Sequence, residues 1–275
     1  MQSIVAAYLI AFYGTFTSYR SPLGLSVHVS NPSDEPILAD TDESYSLDVD
    51  ANGAIITAAN VVGALRGLET FSQLVRFDFV NKSYFIAATP WHIIDAPRFP
   101  FRGLIVDTAR HYIPILVLRR VLDIMAMAKL NVFHWHHEDD QAFPMEIPGY
   151  ERLASAAYSA ASRYSSEDVV DLIEYARQRA LRVMVEFDVP GHAFSWCTGY
   201  PGVCPSPSCL SPLNVAANAT FDLIDGVLAS LVGNTTGHGV FPEGLVHMGG
   251  DEVEYVWLRQ AGRVARAVVA VMTCN

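Results

Sequence analysis

At 275 residues the chain has room for one large domain, or for a small domain followed by a larger one. Hydrophobic residues make up 51% and charged residues 17%, which excludes the sparse, highly charged composition of a disordered chain. Lys+Arg of 18 against Asp+Glu of 29 gives a formal net charge of −11, which disfavours a nucleic-acid backbone or an anionic membrane surface as partner and suits a neutral ligand.

The first apolar run, Ile4 to Tyr13, is shorter than the ~20 residues of a membrane span. No basic stretch precedes it and no clear small-residue cleavage site follows, so a secretory signal peptide is not marked. Apolar and polar residues alternate from Leu25 to Val29 and again through Tyr45, Leu47 and Val49. The latter run reaches Asn52-Gly53 before Ile55 and Ile56, a hairpin signal. Val61, Leu65, Leu68 and Val75 then recur at helical spacing, so a helix over 61–75 is expected to pack on that sheet. Residues 1–97 therefore read as a small α+β domain. Pro90, Pro97 and Pro100 cannot continue a helix or a central strand, and they mark the boundary to a second domain, 98–275.

That second domain repeats one unit. An apolar strand Gly103–Val106 is followed by a helix opened by Pro114, with Leu118, Leu122 and Met125 on one face. After strand Asn131–Trp135, Ser165 and Asp168 have capping-box spacing, and Val169, Leu172, Ile173 and Ala176 supply a buried stripe. Strand Arg182–Phe187, a helix over Thr220–Leu231 and strand Leu245–Met248 complete the series. Alternation of this kind predicts an α/β fold with a parallel sheet and functional residues at the carboxyl ends of its strands. The polar residues fall there: Asp107 and Arg110 after the first strand, His136 to Asp140 after the second, Asp188 and His192 after the third, Asp251 and Glu252 after the fourth.

Cys197, Cys204, Cys209 and Cys274 match no paired zinc spacing. Sequons at Asn81, Asn218 and Asn234 permit N-glycosylation and lean towards the secretory route.

In His247-Met-Gly-Gly-Asp-Glu-Val253 two carboxylates stand side by side after two glycines. Neighbouring Cα atoms lie about 3.8 Å apart, so both acids can serve one site but cannot flank a glycosidic bond from opposite sides. A sugar carrying its own nucleophile, a 2-acetamido oxygen, removes that difficulty: one acid orients the acetamido N–H and the other protonates the leaving oxygen. The ionised first acid also favours protonation of the second by like-charge repulsion. Taken alone, the pair reads more readily as an acidic first turn of a helix. Arg110 reads alike as a ligand clamp or as a structural partner of Asp107. His134 and His136, two apart on a strand, point the same way, as in a His-x-His metal site to which His137 and Asp139 could add ligands; hydrogen-bonded core histidines are the other reading.

Five segments, taken together, carry a resemblance. Phe101-Arg-Gly-Leu-Ile-Val-Asp-Thr-Ala-Arg-His-Tyr112, Lys129-Leu-Asn-Val-Phe-His-Trp-His136, Asp139-Asp-Gln-Ala-Phe-Pro144, Glu186-Phe-Asp-Val-Pro-Gly-His192 and His247–Val253 resemble the successive signatures of glycoside hydrolase family 20 β-N-acetylhexosaminidases. Gly63-Ala-Leu-Arg-Gly-Leu-Glu-Thr-Phe-Ser-Gln73 resembles the helix of that family's small N-terminal domain. The resemblance covers residues 25–255. It implies a small α+β domain followed by a (β/α)8 TIM barrel, of which this sequence reaches strands one to four. It further implies retaining, substrate-assisted hydrolysis of terminal non-reducing N-acetylhexosamine, with Asp251 orienting the acetamido group and Glu252 as general acid/base. Arg110 would bind sugar hydroxyls, supported by Asp139 and His192. Implied too are glycans ending in N-acetylglucosamine or N-acetylgalactosamine as substrates, no cofactor, a lysosomal or secreted location, and a homodimer as one assembly the family admits.

The sequence departs from that pattern at His137 and Glu138, where the family usually has apolar residues. The family's cysteine soon after the acid pair has no counterpart near Trp257, which leaves Cys204 or Cys209 without that partner. Four strands instead of eight predict weak or absent activity for the chain as written. Two alternatives stand beside the glycosidase reading: a metal-dependent hydrolase using His134 and His136, and a non-catalytic fragment retaining part of the sugar site.

Overall fold

The computed structural model describes residues 24–32, 36–206, 212–234, 237–241 and 244–253. The apolar run Ile4–Tyr13, Cys209, Cys274 and the segment around Trp257 lie outside the described residues.

Two compact units divide the chain. One takes the chain through Gly103 together with Val121–Asn131 and Ala176–Arg182; the other takes Leu104–Arg120, Val132–Tyr175 and the chain from Val183.

The first unit is built on a sheet of β1 (Gly24–Asn31), β2 (Tyr45–Asp50), β3 (Gly53–Asn60) and β6 (Trp91–Asp95), in the order β1-β3-β2-β6. The hairpin expected at Asn52-Gly53 forms, with Tyr45 opposite Ala58 and Asp50 opposite Gly53. Strand β1 pairs parallel to β3. Helix α1 (Val61–Leu74) starts where Asn60 turns extended and its side chain accepts the Gly63 N–H at 3.0 Å. Gly63 and Gly67, one helical turn apart, let α1 approach the sheet closely: a Cβ there would run into the Ser44 carbonyl and the Ile56 side chain. Leu47, Val49, Ile56, Leu65 and Leu68 fill the resulting core. A hairpin of β4 (Val75–Asp78) and β5 (Ser83–Ile86) carries the Asn81 sequon in its exposed turn.

This unit also holds a buried ion cluster. Glu43 accepts from Arg66 Nε at 2.7 Å and Arg102 Nη2 at 2.5 Å through one oxygen, and from Asn131 Nδ2 at 2.9 Å through the other. Burial pushes its carboxyl up, but the bond from Arg102 and the charge of Arg66 outweigh it and leave Glu43 below the ordinary carboxylate value.

The alternating elements follow: β7 (Gly103–Asp107), α2 (Ile115–Met127), β8 (Val132–His136), α3 (Ser166–Arg177) and β9 (Arg182–Glu186). Then come a short α4 (Phe194–Gly199) and α5 (Asn218–Val232). A two-residue pair, β10 (Gly233–Asn234) with β11 (Gly237–His238), precedes β12 (Val246–His247). The sheet order is β12-β9-β8-β7, with β12 parallel to β9. The expected capping box is present. Ser165 Oγ donates to Asp168 Oδ2 at 2.8 Å, the Ser165 N–H to the same oxygen at 3.0 Å, and the Asp168 N–H returns to Ser165 Oγ at 3.1 Å. β8 and β9 are almost wholly buried, and Phe133, Trp135, Phe143, Tyr164, Phe187 and Trp196 lie in the core of the second unit. Cys197 and Cys204 form a disulfide with Cα atoms 5.9 Å apart.

Candidate active site

The carboxyl ends of β7, β8, β9 and β12 bring most of the anticipated polar residues into one network. Asp107, last residue of β7, accepts the backbone N–H groups of Ala109 and Arg110 at 3.0 and 3.1 Å through Oδ1. Its Oδ2 takes Arg110 Nη1 at 2.8 Å. The turn thus aims the Arg110 guanidinium, whose Nη2 reaches Asp139 Oδ2 at 2.8 Å. Arg110 pairs with Asp107 and keeps a side chain 41% exposed.

Asp139 is buried, with its side chain 1% exposed. Besides Arg110 it meets His136 Nε2 at 3.0 Å and, through Oδ1, His192 Nδ1 at 3.3 Å and the Asp140 N–H at 2.6 Å. Burial would raise its carboxyl, yet the bond from His136 and the nearby cations hold it below the usual value. His136 shows the reciprocal effect. Burial disfavours its charge, but bonds to Asp139 and Glu186 push it up to about 10, so it stands as an imidazolium donating from both nitrogens.

Glu186, at the end of β9, gathers three imidazoles. Its Oε2 meets His134 Nε2 at 2.7 Å and His136 Nδ1 at 2.9 Å, and its Oε1 meets His247 Nδ1 at 3.0 Å. Burial opposes its ionisation, and the His134 and His136 bonds overcome that and drive it far below the ordinary value. The shared direction of His134 and His136 follows the period-two rule of a strand. The third histidine comes from another strand, so the expected partner His137 is not in the cluster. Both nitrogens of His137 lack a hydrogen-bond partner among the described residues, and its ring lies edge-on to Phe187, Phe143 and Trp135 with centroids 4.7, 5.1 and 6.4 Å away. Burial pulls it down to about 3, so it is neutral.

Asp188 and His192 lie on the loop after β9. Asp188 Oδ1 accepts the Gly250 N–H at 2.9 Å. Burial, and then the neighbouring Asp251, push Asp188 up to about 6 against the pull of that bond. Gly249 has a left-handed φ of 56°, and a Cβ on it would collide with the Asp188 carboxyl, so glycine is required there on two grounds. Asp251 and Glu252 follow, with side chains 66% and 78% exposed. His192 Nε2 stands 3.3 Å from Glu252 Oε2 and 4.0 Å from Asp251 Oδ2. His192 (φ 49°) and Glu252 (φ 48°) both adopt left-handed backbone, which is costly for residues with a Cβ and concentrates where function demands it. Burial lowers the basicity of His192, and the charge of Asp139 more than restores it.

Of the residues singled out from sequence, Arg110, Asp139, His192, Asp251 and Glu252 form one continuous chain of polar contacts. Sequence reasoning assigned no role to Glu186 or to the Asp188–Gly250 bond. The signal was present, since Glu186 occupies a strand end as His136 and His247 do, but only pairing of β8, β9 and β12 brings their heads together.

Comparison with known proteins then assigns the class and the family. A parallel α/β sheet with its polar network at the carboxyl ends of the strands has the architecture of barrel enzymes. The catalytic-domain model of glycosyl hydrolase family 20 matches residues 99–269, and a model described as beta-acetyl hexosaminidase like matches residues 20–74. The chain belongs to glycosyl hydrolase family 20. Beta-hexosaminidase 1 of Arabidopsis thaliana is 49% identical over 236 residues, covering 83% of this chain and 42% of that protein. Human beta-hexosaminidase subunit beta is 41% identical over 223 residues, covering 78% of this chain and 38% of the relative. The solved chitobiase of Flavobacterium johnsoniae matches with a TM-score of 0.79 at 30% identity, covering 99% of this chain and 42% of that one. The exo beta-N-acetylglucosaminidase of Vibrio harveyi, solved with N-acetylglucosamine, matches at 0.77 and 26% identity, covering 98% and 44%. The chain thus spans less than half the length of these relatives. These structures imply a fold containing a TIM barrel; the described residues hold a four-stranded sheet with parallel pairing and no closed barrel.

Proposed function

We propose that this chain carries the non-reducing-end sugar site of a β-N-acetylhexosaminidase, with β7, β8, β9 and β12 as the first four strands of a (β/α)8 barrel and residues 1–97 as a separate α+β domain. The observation that carries the reading is the acid pair Asp251-Glu252, held beside His192 at the end of the Arg110–Asp139 network. Adjacent acids cannot supply both an enzyme nucleophile and an acid on opposite faces of one bond, so the substrate's own acetamido oxygen attacks the anomeric carbon. Glu252 gives its proton to the leaving oxygen as that bond breaks. Asp251 orients the acetamido N–H and offsets the charge of the cyclised intermediate. Glu252 then takes a proton from the incoming water, which opens the intermediate with net retention. Arg110 binds sugar hydroxyls, and Asp139 and His192 hold it and the acid pair in register.

The substrates under this reading are glycans or glycoconjugates ending in N-acetylglucosamine or N-acetylgalactosamine. The location is lysosomal or secreted, a reading supported by the Cys197–Cys204 disulfide, since disulfides persist in oxidising compartments. No helix among the described residues is long and apolar enough to cross a membrane.

Hydrolysis of aryl N-acetylglucosaminides across a leaving-group series tests the roles. Glu252→Gln should retain much of the rate on the best leaving groups and lose about 100-fold or more on poor ones, whereas Asp251→Asn should lose on both. Unchanged hydrolysis of poor leaving groups by Glu252→Gln would remove the acid role. One observation favours a metal reading, with Glu186 and His247 in place of His136: His134, Glu186 and His247 place ligand atoms within 4.8 Å of one another. Loss of activity on chelation, restored by a divalent cation, would select it.

A further inference from the structure

Glu138, just after β8, is fully buried. Its carboxylate makes two bonds. Oε1 accepts the Asp188 N–H at 2.7 Å, and Oε2 accepts the indole N–H of Trp196 at 3.1 Å. Trp196 is itself fully buried against Phe143 and Phe187, with ring centroids 5.4 and 6.1 Å away, so its indole is a fixed post. The two bonds therefore bracket the loop from Asp188 to Trp196, which includes His192 in its left-handed conformation. A third bond continues the line: Asp188 Oδ1 accepts the Gly250 N–H at 2.9 Å, directly before Asp251.

The geometry points to Glu138 as a positioning residue of this chain, acting through Asp188 on Gly250 and so on the placement of Asp251 and Glu252. An apolar residue at this position leaves the Asp188 N–H and the Trp196 indole without that acceptor in a dry interior, where an unmade bond costs more than the made one gains. The carboxyl touches neither the acid pair nor Arg110, so its effect is on alignment. Burial pushes its carboxyl well above the ordinary carboxylate range, against the pull of the Asp188 and Trp196 bonds. The inference rests on the function proposed above only for its kinetic part.

The test uses the full chain, with Glu138→Val and Glu138→Gln beside wild type and two readouts. Amide hydrogen exchange of Asp188 and Gly250 does not depend on turnover. Glu138→Val should speed exchange at both by about tenfold or more, while β8 amides stay as in wild type. Glu138→Gln, which keeps the shape and one acceptor oxygen, should lie between and covers the case in which the valine variant does not fold. On a fluorogenic N-acetylglucosaminide, Glu138→Val should lower kcat by roughly 10- to 100-fold, as slight misplacement of reacting groups does, with KM within about twofold and partial rescue in Glu138→Gln. Wild-type exchange at Gly250 in both variants would overturn the inference. So would equal kcat, or a loss confined to KM. If wild type shows no turnover, the exchange readout decides alone: a Gly250 response to Glu138→Val upholds the positioning role, and wild-type exchange there overturns it.

Discussion

Asp139 answers to three basic side chains: Arg110, His136 and His192. Removing its charge leaves two imidazoles and a guanidinium facing one another around a buried neutral side chain. Asp139→Asn should cost about 3–5 kcal/mol, the usual consequence of breaking a buried ion pair from one side, as read by urea denaturation near neutral pH. The pH dependence of stability has a definite sign. His136 is raised from 6.5 to about 10 in the folded chain. Its contribution is fully present below 6.5 and is lost as pH rises towards 10. The depressed carboxyls of Asp139, Glu186 and Glu43 act at the other end, contributing above their ordinary values and failing as pH falls. The urea midpoint of wild type should therefore decline between pH 6.5 and 10, and His136→Gln should flatten that decline. A slope unchanged in the variant would assign the effect to other groups.

At the scale of elements, the Ser165–Asp168 box makes a local prediction. Ser165→Ala should destabilise by about 1 kcal/mol, the typical worth of an N-cap, without changing sugar binding. That box was legible in the sequence because its chemistry is local, three residues apart, and so were the Asn52-Gly53 hairpin, the helix expected over 61–75 and formed over Val61–Leu74, and the strand–helix alternation. What stayed hidden depends on long-range pairing. Glu43 unites residues 23, 59 and 88 positions away, and no periodicity marks a buried charge network. The disulfide was equally hidden, since four cysteines admit three pairings. The family pattern directed attention to a position near Trp257 instead of to Cys197–Cys204, seven residues apart. Strand β12 has two residues, Val246–His247, where the apolar run Leu245–Met248 promised more. The left-handed glycines after it end the strand so that Asp251 and Glu252 turn towards His192. Gly249→Ala should accordingly disturb Asp188 and lower activity more than its distance from the leaving group would suggest.

For the molecule as a whole, β7 is the informative strand. It lies at one end of the sheet order, and Leu104 and Ile105 are 41% and 56% exposed, unlike the wholly buried β9. An exposed apolar edge strand invites pairing with another chain. Sedimentation of the purified chain should therefore show concentration-dependent association, and Ile105→Lys should weaken it. A monomer at all concentrations in wild type would remove this expectation.

The knot of imidazoles on Glu186 also bears on the order of assembly. His134, Glu186 and His247 are contributed by three strands spread over more than 100 residues; the His134 bond needs only β8 beside β9, whereas the His247 bond exists only once β12 has docked on β9. Because loops of that length close late, most of the sheet collapses with the Glu186 carboxylate still lacking one imidazole. The last stage of refolding should thus be the one that forms the His247–Glu186 bond. Stopped-flow refolding of Glu186→Gln should keep the early hydrophobic phases and alter only the final one.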